Sequence, residues 1–302
     1  MLRFRVALLI AVLSLPLVAS AQGTAGHVDA AYQREVEKFR AEEIKDLKSN
    51  WLVLAGLFWL KPGANAFGTA PSNPIVLPAG TAPAKAGVFE LNSDEVTLKM
   101  EPGAAATIDG QPVMTAKLQA DTSGKPTVVA LGRLRMHVIK RGERVGIRLK
   151  DLQNPALRNF TRRHFYPIDA AYRVSGTWVP SDGKRTVDVP NVLGDITHET
   201  VPGEVRFTLN GQQLSLTALG GDPAKGLFFV FSDATSKTKT YPAGRFLETD
   251  AVKDGTVVLD FNLAYNPPCA VTPYATCPLA PKENRLAVAI PVGEKFDDSK
   301  PH

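Results

Sequence analysis

The sequence predicts an all-β protein with an N-terminal α-helix, organised as two packed antiparallel β-sandwich or barrel units. Short runs of β-branched and aromatic residues recur about every 8 to 12 residues, a spacing typical of sandwiches and barrels. The chain of 302 residues contains 24 glycines and 23 prolines, which supply turns between such runs. Apolar residues follow a helical period in one N-terminal segment only. Together these observations favour sheets joined by turns.

Residues 1–21 have the pattern of a secretory signal peptide. Arg3 and Arg5 form a basic start, an apolar run from Val6 to Val18 follows, and Ala19-Ser20-Ala21 is a small-residue cleavage site. The apolar run is too short for a membrane span, and no later stretch approaches the roughly 18 apolar residues that a span needs. We therefore expect a periplasmic or secreted protein with no transmembrane anchor after signal cleavage.

Charge and composition narrow the classes of partner. The formal net charge of +5 falls to +3 when Arg3 and Arg5 are removed, and no block of consecutive basic residues remains to follow a phosphate backbone. Nucleic acid is therefore not an expected partner. With 44% hydrophobic and 22% charged residues, the chain can bury a substantial core. Only residues 297–302 are expected to form a disordered tail.

Residues 28–47 are predicted to form the helix. Its apolar residues fall on one stripe about 100° wide, while the opposite face is charged. The stripe consists of Val28, Tyr32, Val36, Phe39 and Leu47. A helix of this kind is stabilised mainly by burial of its stripe, so we expect it to cover a sheet face or edge. A partner-binding arm is the alternative.

The first β unit is predicted over residues 48–150. It begins with the apolar run Trp51–Leu60, which suits a strand covered on both faces, and it includes Asp109-Gly110, a favoured hairpin turn. Alternating residues over 128–149 predict a second hairpin, with its turn at Arg141-Gly142-Glu143. The strand spacing resembles that of a forkhead-associated sandwich, but no phosphopeptide-reading motif accompanies it.

A connecting segment, residues 151–169, separates this unit from the second. Asn154-Pro155 and Tyr166-Pro167 interrupt any helix there, and the segment lacks strand alternation. Strand patterns resume in the second β unit, residues 170–296, where Asn210-Gly211 is another favoured hairpin turn. Its predicted strands are 171–179, 186–189, 203–209, 213–219, 227–231, 257–261 and 286–290.

The segment 260–285 combines the chain's two cysteines with five prolines and many polar residues. Proline fixes φ and removes a backbone donor, so this segment can be neither a helix nor a central strand. In an exported chain, we expect a disulfide between Cys269 and Cys277, worth about 2 to 3 kcal/mol for so short a loop. A metal site is not expected, because the five histidines show no paired ligand spacing.

Motifs that would identify an enzyme are missing from the sequence. It contains no G-x-S-x-G elbow, S-x-x-K, glycine-rich phosphate loop or H-E-x-x-H, and no feature places a histidine beside either cysteine. No cofactor is therefore expected. Catalytic groups can still be assembled from distant residues, so an enzyme stays possible.

Eight polar residues late in the chain are candidate site residues. One interpretation is that they satisfy the backbone of the irregular segment, with Arg245 or Arg285 paired to Asp260. The other is a pocket in which arginine and amide side chains bind a polar or anionic ligand over an aromatic floor. The candidates are Tyr241, Arg245, Asp260, Asn262, Tyr265, Asn266, Asn284 and Arg285.

Three stretches resemble the signature of a bacterial family known only as a domain of unknown function. They are GLFWLKPGANAFG, TYPAGRFL, and DFNLAYNPPCAVTPYATCPLAPKENRL with VGEK near the end. The resemblance runs from about Trp51 to Lys295. It implies one coherent unit, and it implies no activity, cofactor or catalytic residue.

These observations support three hypotheses about function. The first is a binding or cell-envelope accessory protein with a pocket beside the loop that begins with Asn266-Pro267-Pro268-Cys269, which we call the NPPC loop. Its partner would be a small polar or anionic ligand or an envelope protein. The second is a hydrolase or transferase that uses Asp260, Tyr265 and Arg245, which requires these groups to converge on one cavity. The third is a structural interaction module with an exposed apolar patch.

Overall fold

The computed structural model describes residues 28–161 and 163–296, and the predicted signal peptide and tail lie outside them. Helix α1 spans Ala30–Asp46 and continues into a π-helical turn, Leu47–Trp51. The carboxylate of Asp29 caps its start by accepting from the backbone N–H of Ala31 and Tyr32 at 2.8 Å. Within the described residues, none of the helices has the length and apolarity to cross a membrane.

The predicted helix is confirmed, and its apolar stripe packs on the second β unit. Val36 and Leu47 are buried, and the half-buried Phe39 ring lies 6.1 Å from the ring of Tyr265. Because the π-helical turn extends to Trp51, the strand predicted to begin there begins at Leu54 instead.

The first unit is a sandwich of two antiparallel sheets with one apolar core between them. One sheet has the order β1-β11-β10-β9-β6-β7 and the other β3-β2-β4-β5-β8, where β2 and β3 are the parallel pair. Both sheets contribute to the core, for example through Phe89 and Ile147. The strands are β1 Leu54–Trp59, β2 Gly63–Gly68, β3 Ile75–Val76, β4 Gly87–Asn92, β5 Glu95–Met100, β6 Ala106–Ile108, β7 Gln111–Val113, β8 Thr115–Leu118, β9 Val129–Leu131, β10 Leu134–Arg141 and β11 Arg144–Asp151.

The second unit follows a short helix, α2 Pro155–Asn159, and consists of smaller sheets. Their orders are β16-β15-β12-β20, β17-β18-β19 and β13-β14. A second apolar core joins the first two of these sheets to the irregular segment, through residues such as Phe229 and Phe261, while Val187 and Val189 of β13 belong to a separate small cluster. The strands are β12 Arg173–Pro180, β13 Thr186–Pro190, β14 Ile196–Thr200, β15 Gly203–Leu209, β16 Gln212–Thr217, β17 Gly220–Asp222, β18 Gly226–Phe231, β19 Arg245–Glu248 and β20 Thr256–Asp260.

The strand predicted at 286–290 is wrong. Leu286, Val288 and Ile290 are buried and alternate with exposed residues, which is the pattern that suggested a strand. Their backbone groups nevertheless bond to a loop rather than to a ladder. The N–H of Leu286 donates to the Ser232 carbonyl at 2.8 Å, whereas that of Ile290 donates to a carboxylate oxygen of Asp233 at 3.1 Å.

Candidate functional site

Asp260, at the end of β20, connects helix α1 to the second unit through hydrogen bonds. Its carboxylate accepts from the Tyr32 hydroxyl at 2.8 and 2.9 Å and from the amide of Asn262 at 3.0 Å. Its ionic partner is Arg173 of β12, at 3.4 Å, so the predicted pairing with Arg245 or Arg285 is wrong. Burial and Asp260 together raise the pKa of Tyr32. Asp260 and Asn262 therefore stabilise the packing of α1 on the second unit.

Arg245 is fully buried and is part of the core of the second unit. Its guanidinium pairs with Asp233 at 2.8 Å and donates to the carbonyls of Ile290, at 2.9 Å, and Val292. Burial lowers the pKa of Arg245, and the carboxylate of Asp233 opposes that shift. Because both terminal nitrogens have partners inside the fold, the structure corrects the expectation that Arg245 binds an anionic ligand.

Three other candidates, Asn284, Arg285 and Tyr241, have separate surroundings. Asn284 is buried, and its amide accepts from the N–H of Thr217 and donates to the carbonyls of Thr217 and Val230. Arg285 is exposed, and Tyr241 packs its ring 5.2 Å from that of Phe296. Asp260, Tyr265 and Arg245 have different polar partners, Tyr32, Glu248 and Asp233. The hydrolase or transferase hypothesis, which requires them to converge on one cavity, stays a hypothesis.

Cys269 and Cys277 lie side by side as free thiols. The backbone N–H of Cys269 donates to the sulfur of Cys277 at 3.3 Å. A hydrogen bond from Cys277 lowers the pKa of Cys269, and the Tyr241 hydroxyl acts in the same direction. The disulfide between the two residues stays a prediction.

Tyr265 and Asn266 do share a pocket, of about 450 Å³, between α1 and the second unit. The N-terminal wall consists of the last turn of α1 and the π-helical turn, and the opposite wall consists of β19 and the start of the NPPC loop. We call this the α1 pocket. Its lining residues are Glu42, Glu43, Asp46, Leu47, Trp51, Arg163, Phe246, Glu248, Tyr265, Asn266 and Pro268.

Tyr265 is the aromatic centre of the α1 pocket. Its hydroxyl donates to the Glu248 carboxylate at 2.6 Å, and its ring contacts Phe246 edge-on at a centroid distance of 5.7 Å. Burial, followed by the charge of Glu248, raises the pKa of Tyr265 well above its ordinary value. The phenol is therefore neutral at physiological pH and serves as a hydrogen-bond donor to Glu248.

Arg163, which lines the α1 pocket, belongs to a buried ion pair. Arg163 lies 3.0 Å from Glu294 and donates to the carbonyl of Asn266 at 3.2 Å, while the Asn266 N–H donates to Glu294 at 2.7 Å. Burial raises the pKa of Glu294 to about 7, although Arg163 opposes the shift. The amide nitrogen of Asn266 donates to Lys295, and its buried Oδ1 has no donor among the described residues.

The remaining polar groups of the pocket are carboxylates. Burial raises the pKa of Glu43 to about 7, and the charges of Glu248 and Asp46 add to the effect. Asp46 accepts from the indole N–H of Trp51 at 3.1 Å. Four carboxylates thus face one guanidinium that already has a carboxylate partner. This lining favours a cation, which is opposite in sign to the ligand expected from the sequence.

Sequence reasoning missed most of this pocket. Glu42 lies outside the apolar stripe of α1, whereas Glu43 and Asp46 fall within its arc at 100° per residue. Glu248 directly follows the TYPAGRFL stretch. Glu294 is part of the VGEK stretch, so TYPAGRFL and VGEK were the available signals for these two glutamates. Within the described residues, no group of three or more His, Cys, Asp or Glu side chains is arranged to hold a metal ion.

The comparisons with known proteins give a family and no activity. Residues 158–295 match the model of a family described as a protein of unknown function, DUF1684. The solution NMR structure of an uncharacterised protein of Haloarcula marismortui is 30% identical over 47% of this chain and 80% of that chain, with a TM-score of 0.39. No curated protein matches the chain significantly.

Two forkhead-associated (FHA) domains also align with part of the chain. One was studied for phosphothreonine-dependent interactions, and it is 15% identical over 31% of this chain and 92% of that chain, with a TM-score of 0.23. The other is the FhaA FHA domain in complex with the intracellular domain of Rv3910, also 15% identical, over 31% and 97%, with a TM-score of 0.23.

Proposed function

We propose a function from the pocket, because the chain belongs to the DUF1684 family of proteins of unknown function, whose model its residues 158–295 match. The proposed function is that of a binding protein that holds a small organic cation in the α1 pocket. The observation that carries the proposal is the convergence of four carboxylates and three aromatic rings on one cleft. Export to the periplasm or medium remains part of the proposal, supported by the pattern of residues 1–21.

The chemistry of the lining selects the class of ligand. Glu42, Glu43, Asp46 and Glu248 offer acceptors, and so does the unpartnered Oδ1 of Asn266. A ligand that brings N–H donors and a positive charge satisfies these groups, whereas an anion would be repelled. The volume of about 450 Å³ lies in the range of small-molecule pockets.

The aromatic residues add a second recognition element. Trp51, Phe246 and Tyr265 line the same pocket as the carboxylates. Ring faces attract ammonium and guanidinium groups, by about 0.5 to 2 kcal/mol for each contact. An amine with a short apolar body therefore fits better than a bare inorganic cation.

Paired ligands of opposite charge test the proposal directly. We expect benzylamine and 1,5-diaminopentane to raise the melting temperature at low salt, and benzoate and glutarate, of similar size, to leave it unchanged. Glu248→Gln should weaken amine binding about tenfold, which corresponds to about 1.4 kcal/mol, as measured by calorimetry. Stabilisation by the anions, or by none of the four compounds, would contradict the proposal.

A matched surface variant separates the pocket from the overall charge. Glu143 lies exposed in the hairpin turn between β10 and β11, far from the lining residues along the chain. Glu143→Gln removes the same charge as Glu248→Gln, and we expect it to leave amine affinity unchanged. Equal losses in the two variants would show that the cations bind nonspecifically.

A further inference from the structure

The two cysteines lie outside the set of residues that line the α1 pocket, and their surroundings differ from those of an inert pair. Cys269 is half-buried in a 3-10 turn, Pro268–Ala270, whereas Cys277 is 5% exposed. The backbone N–H of Cys269 points at the sulfur of Cys277. Cys269 is thus the more exposed of the two residues, and the sulfur of Cys277 lies within hydrogen-bond distance of its backbone.

A cation without an ionic partner lies next to this pair. Arg148 of β11 is 7% exposed, and no carboxylate among the described residues lies within ion-pair distance of it. Its Nη2 donates to the Thr276 hydroxyl at 3.3 Å, and its Nε has no partner in the described part of the chain. Arg148 and Cys277 interact electrostatically. An uncompensated buried guanidinium favours a thiolate nearby.

The loop between the cysteines is held in place without a covalent link. The Cys277 carbonyl accepts from the N–H of Val192 at 3.1 Å, and the N–H of Leu279 donates to the Pro190 carbonyl at 2.8 Å. Thr276 also accepts from Arg141 at 3.0 Å. These bonds anchor the C-terminal end of the loop independently of the two sulfur atoms.

We propose that Cys269 and Cys277 form a reversible thiol–disulfide exchange site, in which Cys269 attacks and Cys277 resolves. The Cys269 thiolate attacks one sulfur of an external disulfide, and that disulfide releases its other half as a thiolate. Cys277 loses its proton and attacks the Cys269 sulfur of the mixed disulfide, which expels the second half. Both cysteines are thereby oxidised, and the external disulfide is reduced to two thiols.

The order of attack follows from exposure and from hydrogen bonding. Cys269 receives hydrogen bonds from Cys277 and from the Tyr241 hydroxyl, which lower its thiol pKa. The pKa of Cys277 is raised, first by the hydrogen bond that it gives to Cys269 and then by burial. Arg148 is a positioning residue in this scheme, since its charge stabilises Cys277 at the moment of resolution.

Trapping with oxidised glutathione tests the roles of the two thiols in the folded protein. We expect the reduced wild-type chain to form an intramolecular disulfide, Cys277→Ser to stop as a glutathione adduct on Cys269, and Cys269→Ser to react at least about tenfold more slowly. Mass spectrometry of acid-quenched samples identifies each species. Faster adduct formation on Cys277 than on Cys269 would overturn the proposal.

Three further measurements use chains that keep both cysteines. Iodoacetamide should label Cys269 before Cys277 in the reduced wild type, and equal labelling would contradict the assigned order. Arg148→Gln should let the mixed disulfide on Cys269 accumulate before it resolves, with Arg135→Gln on the neighbouring strand as the control. If dithiothreitol reduces the Cys269–Cys277 disulfide only after the oxidised protein has unfolded, the disulfide is purely structural and the proposed exchange site is wrong.

Discussion

In the first unit, the side chains between the two sheets are almost all apolar, and the buried ionisable residues are Arg148 and Asp151. The second unit and its neighbouring segment bury Arg163, Asp233, Arg245, Asp260 and Glu294. The difference follows from the backbone. Strands satisfy each other's N–H and C=O groups, but an irregular chain such as 261–296 needs side chains to do so. Buried polarity is therefore concentrated where the backbone is irregular.

The strongest test of this comparison exchanges one buried arginine in each unit for glutamine. Arg245→Gln leaves the carboxylate of Asp233 buried without its cation, and we expect a loss of about 3 to 5 kcal/mol in the free energy of unfolding. Arg148 has no such partner among the described residues, so Arg148→Gln should cost about 1 kcal/mol or less. Urea unfolding gives both values, and equal losses would show that pairing is not what distinguishes the two units.

Two buried asparagines allow a finer comparison. Asn284 and Asn65 each bind backbone groups on both sides, but Asn284 is fully buried, while Asn65 accepts from and donates to the exposed residue Lys61. Water can replace part of the bonding at Asn65. We therefore expect about 2 to 3 kcal/mol for Asn284→Ala and about 1 kcal/mol for Asn65→Ala, measured by urea unfolding. The opposite order would mean that depth of burial does not set the cost.

The last comparison is a pair of opposite pH dependences. The pKa of Glu43 in the folded protein, about 7, lies above its ordinary 4.5, so the free energy of unfolding falls as pH rises between these values. Glu294 acts in the same direction. Burial lowers the pKa of His137 from 6.5 to about 4, so this residue makes stability fall as pH drops through that window.

Single variants separate the two contributions. Glu43→Gln should be more stable than the wild type above pH 7 and equal to it near pH 4, whereas His137→Gln should gain stability only towards low pH. Melting temperatures across this pH range check both signs. Parallel profiles for the two variants and the wild type would show that neither group titrates as the fold implies.

The regular parts of this fold could be predicted from sequence, because strand alternation and turn residues are local signals. Leu134, Met136 and Val138 alternate, and they form β10 as expected. By contrast, β2 was not predicted, because it begins and ends with glycine, and β19 was not predicted, because its first residue is the polar Arg245. In both cases pairing with a neighbouring strand decides the structure, and a single segment does not show it.

The candidate site was less predictable, since its two walls lie far apart in the sequence. Tyr265 and Asn266 were found because prolines and cysteines mark their loop. Glu43 and Asp46 were not, because the helix prediction used only the apolar residues of the stripe, and charged residues within the same arc do not by themselves indicate a cleft. The role expected for Arg245 was not predictable either, because its carboxylate partner, Asp233, lies inside the fold. The anionic ligand itself stays a prediction.

The contact between Tyr32 and Asp260 joins residues 228 positions apart, and this has a consequence for biosynthesis. Helix α1 is translated among the first elements of the chain, whereas the strands that cover its stripe are translated among the last. Such distant contacts form slowly and only once both partners are present. An incomplete chain that ends before Asp260 therefore leaves the stripe uncovered, as a hydrophobic surface that chaperones and proteases can recognise.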